Sequence, residues 1–431
     1  MRRSIAIREF DYLYPGAGGQ LCDAAFKFLR EQAISLDKGN AQYLVLSSRH
    51  GKECLQVRNY VGTLSTPDGT IIEILPKHSN DQLDLVESRQ LLWKMIRVVH
   101  DIPWQSSTDG DLQTYKKPLP EILLARFLSS VGHLVHRGIR SDYQRKKDTR
   151  KFLKGRLELS RQLRLPPARA TDFCIEYDQY TVNRPENRLI RLALDQVRRW
   201  HLGIANTRLA KELSIAFSNV KPSNDVAGDF IRWRKQRDMA HYQPVRPWLE
   251  LILRSISPWA FSGSWHGISM LFPMEKLFES YVEKRLQKVL YPGFKLTPQA
   301  SRQYLTQHKG RKMFQLCPDI LVTQGVKNYT VMDTKWKLID REASDGSRKY
   351  NLKQSDLYQL YAYGHKYLSG NGDLILIYPR HESFLKPLAS FQYEESMRLW
   401  VVPFDLQTDS LILPEELKLN CFQSADFLDL L

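Results

Sequence analysis

Pro318-Asp-Ile-Leu-Val-Thr-Gln-Gly-Val-Lys-Asn-Tyr-Thr-Val-Met-Asp-Thr-Lys335 decides how this chain is read. The flanking runs Met313 to Val322 and Tyr329 to Leu338 are short and rich in β-branched and aromatic residues, and Thr323-Gln324-Gly325 separates them as a turn would, so they are predicted to be neighbouring strands. Side chains alternate across a strand, which puts Asp333 and Lys335 on one face. Two carboxylates and a lysine are the parts needed to hold Mg²⁺ on a phosphodiester and deliver water to it. Mg²⁺ takes oxygen ligands in octahedral geometry and keeps several waters, so two carboxylates and a substrate phosphate suffice. Asp319 and Asp333 are the expected ligands, with the backbone carbonyl of Thr334, and Lys335 is expected to orient the water or stabilise charge at phosphorus.

Working outward, Ser355 to Leu368 reads as a helix with Ser355 as N-cap, on which Gln359 and Tyr363 stand one turn apart and face the site together. Upstream, Pro273 to Leu290 carries an apolar stripe at Phe278, Tyr281, Val282, Leu286 and Val289, the spacing of a half-buried helix. Glu275 and Glu279 flank that stripe, and either could reach the metal. Strands at Asp373 to Pro379 and Met397 to Pro403 complete an α/β core.

Three regions follow: a β-rich N-terminal domain over 1–80, a mainly helical middle region over 81–266 with a basic β segment at 141–182, and the α/β core over 267–431. A soft boundary between Ser255 and Gly267 gathers Ser, Pro and Gly. Thr66-Pro67-Asp68-Gly69 is a turn between two N-terminal strands, since proline presets its first corner and glycine permits the second. Asn183 and Glu186 have the spacing of a capping box.

The 431 residues, 42% hydrophobic, can bury a sizeable core, and the net charge of +16 favours a polyanionic partner. From Ser141 to Ala170 the cations exceed the acids by seven. Arg145, Lys146, Lys147, Arg150, Lys151, Lys154 and Arg156 form its densest part. Such a run meets duplex phosphates, but it also suits a solvated loop or a basic face for an acidic protein. The five scattered cysteines include no Cys-x-x-Cys pair, so neither a disulfide frame nor a zinc site is indicated. With no signal peptide and no long apolar window, a soluble cytoplasmic protein is expected. No G-x-x-x-x-G-K-[ST] occurs, which excludes a Walker-type nucleotide cradle in this chain.

Leu277-Phe278-Glu279, Pro318-Asp319, Asp333-Thr334-Lys335-Trp336 and the Asp356 to Tyr363 segment resemble the PD-(D/E)xK nuclease domain of the McrC family, the cleavage subunits of McrBC modification-dependent restriction systems. Gly62 to Lys77, Lys154 to Ser160 and Glu176 to Leu189 add to the likeness, which spans roughly residues 60 to 405. The resemblance implies a restriction-endonuclease-like core and a Mg²⁺-dependent endodeoxyribonuclease that cuts double-stranded methylated DNA, two copies acting together. It implies a McrB-like AAA+ ring as the GTP-hydrolysing partner, with its GTPase stimulated by this subunit. It also makes the N-terminal region, and Thr66, Pro67, Asp68 and Gly69 at the turn, candidates for contact with that ring, against an ordinary surface turn. Two alternatives remain: an activator and scaffold of an AAA+ ring whose nuclease site is spent, and a stand-alone repair nuclease of the same superfamily.

Overall fold

The computed structural model describes residues 4–16, 18–36, 43–77, 85–103, 115, 117–200, 203–254, 270–417 and 419–422. The chain forms two compact units: one comprises 1–101, 105–116 and 270–431, the other 102–104 and 117–269. Residues 1–80 and 270–431, which the sequence reading puts in separate domains, therefore share a unit. A strand explains why: Met270–Pro273 pairs antiparallel with Tyr60–Ser65 in a sheet that continues through Ile71–Leu75 to Ser4–Arg8. Gly62 permits this pairing, because at φ +125° a Cβ there would lie 2.0 Å from the Met270 carbonyl oxygen. The soft boundary at Ser255 to Gly267 lies outside the described residues.

The first unit is built on a mixed sheet ordered Phe294–Pro298, Ile320–Gln324, Lys327–Thr334, Gly372–Pro379, Met397–Asp405 and Phe391–Glu394. Its first three strands are antiparallel, whereas Lys327–Thr334, Gly372–Pro379 and Met397–Asp405 run parallel. A parallel neighbour needs a crossover, and the helix Gln354–Leu368 supplies one. Its Leu360, Tyr363, Tyr367 and Leu368 pack on Leu321, Val331, Leu374, Leu376, Leu399 and Val401. Burying a leucine-sized side chain contributes about 1.5–3 kcal/mol, so this face anchors the helix firmly. The helix Met274–Lys288 places Phe278 5.3 Å from Trp336 and 6.3 Å from Phe404, ring to ring.

Three local expectations are corrected. The apolar run Met313 to Val322 is not one strand: Arg311–Leu316 pairs with Gln303–His308 in a separate two-stranded ribbon, and Cys317-Pro318-Asp319 breaks away before Ile320–Gln324 begins. Proline has no N–H to continue a ladder. Lys353, not Ser355, is the N-cap of its helix, without a side-chain cap. The capping box does not form. Arg184 is the N-cap, Glu186 instead accepts from the Arg234 amide at 3.0 Å, and Asn183 accepts from the Lys221 amide at 3.3 Å.

The second unit carries the helices Leu119–His136, Pro185–Arg199, Ile204–Ala216 and Arg246–Arg254, and a three-stranded antiparallel sheet of Asp142–Arg150, Phe173–Thr181 and Arg156–Leu157. Asn187 knits its centre, donating to the Arg140 and Val182 carbonyls at 2.9 and 2.7 Å and accepting from the Tyr242 hydroxyl at 2.8 Å.

Candidate functional site

Adjacent strands deliver the two aspartates. Asp319 immediately precedes Ile320–Gln324, and Asp333 lies near the end of the strand paired with it. The Thr334 amide and hydroxyl both donate to Asp319 Oδ2 at 2.8 Å, which ties the two strand ends together. Lys335 doubles back on Asp333, its Nζ donating to Asp333 Oδ2. Asp333 is buried, at 2% exposure, and burial together with the negative charge of Asp319 pushes its pKa well above the usual carboxylate range. Burial works against the Lys335 ammonium, but Asp333, Asp319 and Asp356 outweigh it and hold the pKa above its ordinary value. Lys335 is therefore a cation at neutral pH.

Glu279, not Glu275, reaches this cluster. Gln299 bridges the gap, with its Nε2 donating to Glu279 Oε1 and, at 3.3 Å, to Asp319 Oδ1. Burial and the Asp319 charge raise the Glu279 pKa. Glu275 lies near Glu9 instead. Gln359 and Tyr363 come together as the helical spacing requires: Gln359 Nε2 donates to the Tyr363 hydroxyl at 2.6 Å, and that hydroxyl donates to the Cys317 carbonyl at 3.0 Å. Tyr363 thereby holds the Cys-Pro-Asp bend on which Asp319 sits.

The donor set is all oxygen, which fits a hard divalent cation; burial first, and the Asp319 charge second, raise the pKa values of Asp333 and Glu279, and a cation there would offset both. Among the described residues no three His, Cys, Asp or Glu side chains stand together closely enough to ligate one ion. Two carboxylates completed by water and substrate, rather than a closed cage, is the arrangement these residues could offer.

Sequence reasoning passed over three contributors. Gln299 follows the strand Phe294–Pro298 in a left-handed conformation, φ +46°, and its amide donates to the Asp319 carbonyl at 2.9 Å. Asp356 is buried at the start of its helix and bears electrostatically on Asp333 and Lys335. Glu9, fully buried, accepts from the Trp336 indole at 2.8 Å and so braces the segment just after Lys335. Of the three, Asp356 alone lies in a segment that carries the family resemblance.

Elsewhere, much of the basic run is engaged locally. Arg145 faces Glu176 and Asp178, each at 3.7 Å, Lys147 meets Glu158 at 2.8 Å, and Arg150 meets Asp148 at 2.9 Å. Lys146, Lys151, Lys154 and Arg156 have no ion-pair partner among the described residues, although Lys154 lies 4.5 Å from the Tyr177 ring centroid. The turn at Thr66 to Gly69 forms as expected, with the Gly69 amide donating to the Thr66 carbonyl at 3.0 Å. Its Asp68 carboxylate is drawn inward by Thr66, Thr70 and Cys22. Burial acts to raise its pKa, and these hydrogen bonds prevail to hold it at about 2. Pro67 and Asp68 are exposed, whereas Thr66 is buried. Among the described residues no helix is long and apolar enough to cross a membrane.

No curated protein matches the chain. Among solved structures, a chain of the "half-complex from tetradecameric assembly of Thermococcus gammatolerans McrB AAA+ hexamers with bound McrC" shares the fold, with TM-score 0.62, 20% identity, and 93% of this chain and 94% of that one covered. A second, the Thermococcus gammatolerans McrBC complex, matches at TM-score 0.46 and 20% identity over 66% of this chain and 87% of that one. The family model described as McrBC 5-methylcytosine restriction system component matches residues 55–379, most of the chain and both aspartate strands. As the resemblance in its motifs implied, this chain belongs to that McrBC family.

Proposed function

We propose that this chain is the McrC-like nuclease subunit of a McrBC-like restriction system: a Mg²⁺-dependent endodeoxyribonuclease with a PD-(D/E)xK core that cuts double-stranded methylated DNA. The observation that carries the reading is the joining of Asp319, Asp333 and Lys335 at the ends of neighbouring strands with, through Gln299, Glu279 of the helix Met274–Lys288. Asp319 and Asp333 would hold Mg²⁺, with Glu279 alongside. Bound there, the ion supplies charge neutralisation and lowers the pKa of the attacking water. Lys335, a cation beside Asp333, presents N–H donors to the water or to the developing charge on phosphorus. Tyr363 and Gln359 keep Asp319 in register through the Cys317 carbonyl, and burial of Asp333 keeps bulk water from competing for its oxygens.

The partner in this reading is a GTP-hydrolysing McrB-like AAA+ ring whose hydrolysis this subunit stimulates. The fold likeness to a chain from a McrB–McrC assembly supports it, as does the lack of any nucleotide cradle motif in this sequence. The turn at Thr66 to Gly69 is a candidate ring contact. In the densest part of the basic run, Lys146, Lys151, Lys154 and Arg156 have charge to spare for DNA. A domain with one such site cuts one strand, so a double-strand break needs a second copy. The test is plasmid cleavage by the chain with its ring, comparing methylated with unmethylated DNA and Mg²⁺ with a chelator. Cutting that needs methylation, GTP and Mg²⁺ is expected. Cutting by the chain alone with Mg²⁺ and no nucleotide would instead mark a stand-alone nuclease.

A further inference from the structure

The two-stranded ribbon Gln303–His308 and Arg311–Leu316 plays no part in the site chemistry, yet it leaves the core beside it. One strand starts just after Gln299, the residue bridging Glu279 and Asp319. The other ends at Cys317-Pro318-Asp319. The ribbon's root is fixed: the Tyr367 hydroxyl is shared between the carbonyls of Ala300 and Leu316, at 2.6 and 2.8 Å, and Gln315 Nε2 donates to the Ser301 carbonyl at 2.7 Å. Beyond the root it is bare, with every residue from Leu305 to Gln315 exposed. Six residues at about 3.3 Å each give a reach of roughly 20 Å.

Its composition is one-sided. From Ala300 to Cys317 there are Arg302, His308, Lys309, Arg311 and Lys312, and no acid. In the basic run at 141–170, by contrast, acids lie among the cations, and Lys147 and Arg150 are paired with Glu158 and Asp148. The tip is a tight turn with Lys309 at φ +46° and Gly310 at φ +74°, the conformation of a type I′ hairpin, which presents the cations together at the end. Phe314 is held at φ +59° with 68% of its surface exposed, and Met313 and Leu305 are exposed nearby. A left-handed backbone strains a phenylalanine, and no burial offsets that strain here.

We infer that this ribbon is an arm that grips the duplex cut by the adjacent site, its tip cations on phosphates and its exposed apolar side chains against a groove. A two-stranded β-ribbon fits the major groove, and apolar side chains on such arms pack against bases or sugars. Charge complementarity selects nucleic acid as the occupant, and the arm's root at Gln299 and Asp319 selects the substrate. The inference deepens the nuclease reading and rests on it.

The test measures binding of the full-length chain to a labelled duplex by fluorescence anisotropy over a range of salt, without metal. The variants are Lys309→Ala/Arg311→Ala/Lys312→Ala and, separately, Phe314→Gly. The triple variant should melt as the wild type does, bind at least about tenfold more weakly, and lose roughly two to three units of salt slope, about 0.9 per phosphate contact. Phe314→Gly relieves the backbone strain, so it should melt at the same temperature or higher while binding more weakly. Wild-type affinity and salt slope in both variants would overturn the arm. So would retained duplex affinity with lost association to the AAA+ ring, which would make the ribbon a protein-docking element. Cleavage separates the two readings. If the wild type cuts and the triple variant cuts equally well, the arm falls and the nuclease stands. If the wild type never cuts but the triple variant still loses duplex binding, the nuclease reading falls and the arm stands as a DNA-binding element.

Discussion

Replacing Glu9 with glutamine should make the protein more stable than the wild type as pH rises, by an amount the structure allows to be worked out. Glu9 has no exposed surface. Its Oε2 accepts from the Trp336 indole at 2.8 Å and the Lys77 amide at 3.4 Å, while Oε1 has no hydrogen-bond partner among the described residues. Burial, aided by the charge of Glu275 and only partly opposed by these bonds, pushes its pKa from 4.5 up to about 8. The folded state therefore keeps a proton that the unfolded chain releases, so stability is fully present below pH 4.5 and is lost as pH rises towards 8. Between about pH 5 and pH 8 that linkage removes about 3–4 kcal/mol, at roughly 1.36 kcal/mol per unit and flattening at both ends. A glutamine at this position would still accept from Trp336 and does not titrate. Urea unfolding of both proteins at pH 5, 6, 7 and 8 isolates the effect, because every other titrating group is common to the pair. Glu9→Gln should gain on the wild type steadily across the series. A difference that stayed constant, or one that moved the other way, would mean that Glu9 is ionised in the fold, and the reasoning would fail.

Glu73→Ala should destabilise the first unit by about 3–5 kcal/mol in urea unfolding, because it leaves the buried Arg89 guanidinium, now held bidentately at 2.6–2.9 Å, without its counter-charge. Gly62→Ala should cost more than about 2 kcal/mol, since its Cβ has no room beside the Met270 carbonyl and its φ is left-handed; a melting temperature equal to the wild type's would contradict the pairing described. Tyr363→Phe should cost about 1–2 kcal/mol and slow cleavage while leaving GTPase stimulation unchanged. Equal loss of both activities would assign Tyr363 to general stability instead.

The paired strands and flanking helices of the core were legible because their side chains obey the simple periods of two and 3.6, and Asp333 with Lys335 could be placed on one face for that reason. The ribbon was not. Met313-Phe-Gln-Leu runs straight into Cys-Pro-Asp-Ile-Leu-Val, and an apolar run carries no mark separating exposed side chains from buried ones. Only Pro318 signalled the break. Glu9 braces Trp336 from the far end of the chain, and Gln299 reaches two acids that are each 20 residues away. Such contacts depend on how strands stack rather than on local pattern, so a lone Glu or Gln in the sequence does not announce them. The basic run at 141–170 shows the converse: its charge is plain in the sequence, but the engagement of Arg145 by Glu176 and Asp178 across the sheet depends on strand register.

The most direct test is cleavage of methylated plasmid by the chain reconstituted with its AAA+ ring, Mg²⁺ and GTP, with Asp333→Asn and Lys335→Ala set beside the wild type and GTP hydrolysis followed in the same tubes. Both variants should lose cutting by at least about a hundredfold while stimulating hydrolysis as the wild type does. Wild-type cutting by either variant would contradict the account, for then the site joining Asp319, Asp333 and Lys335 would not be where the phosphodiester is broken.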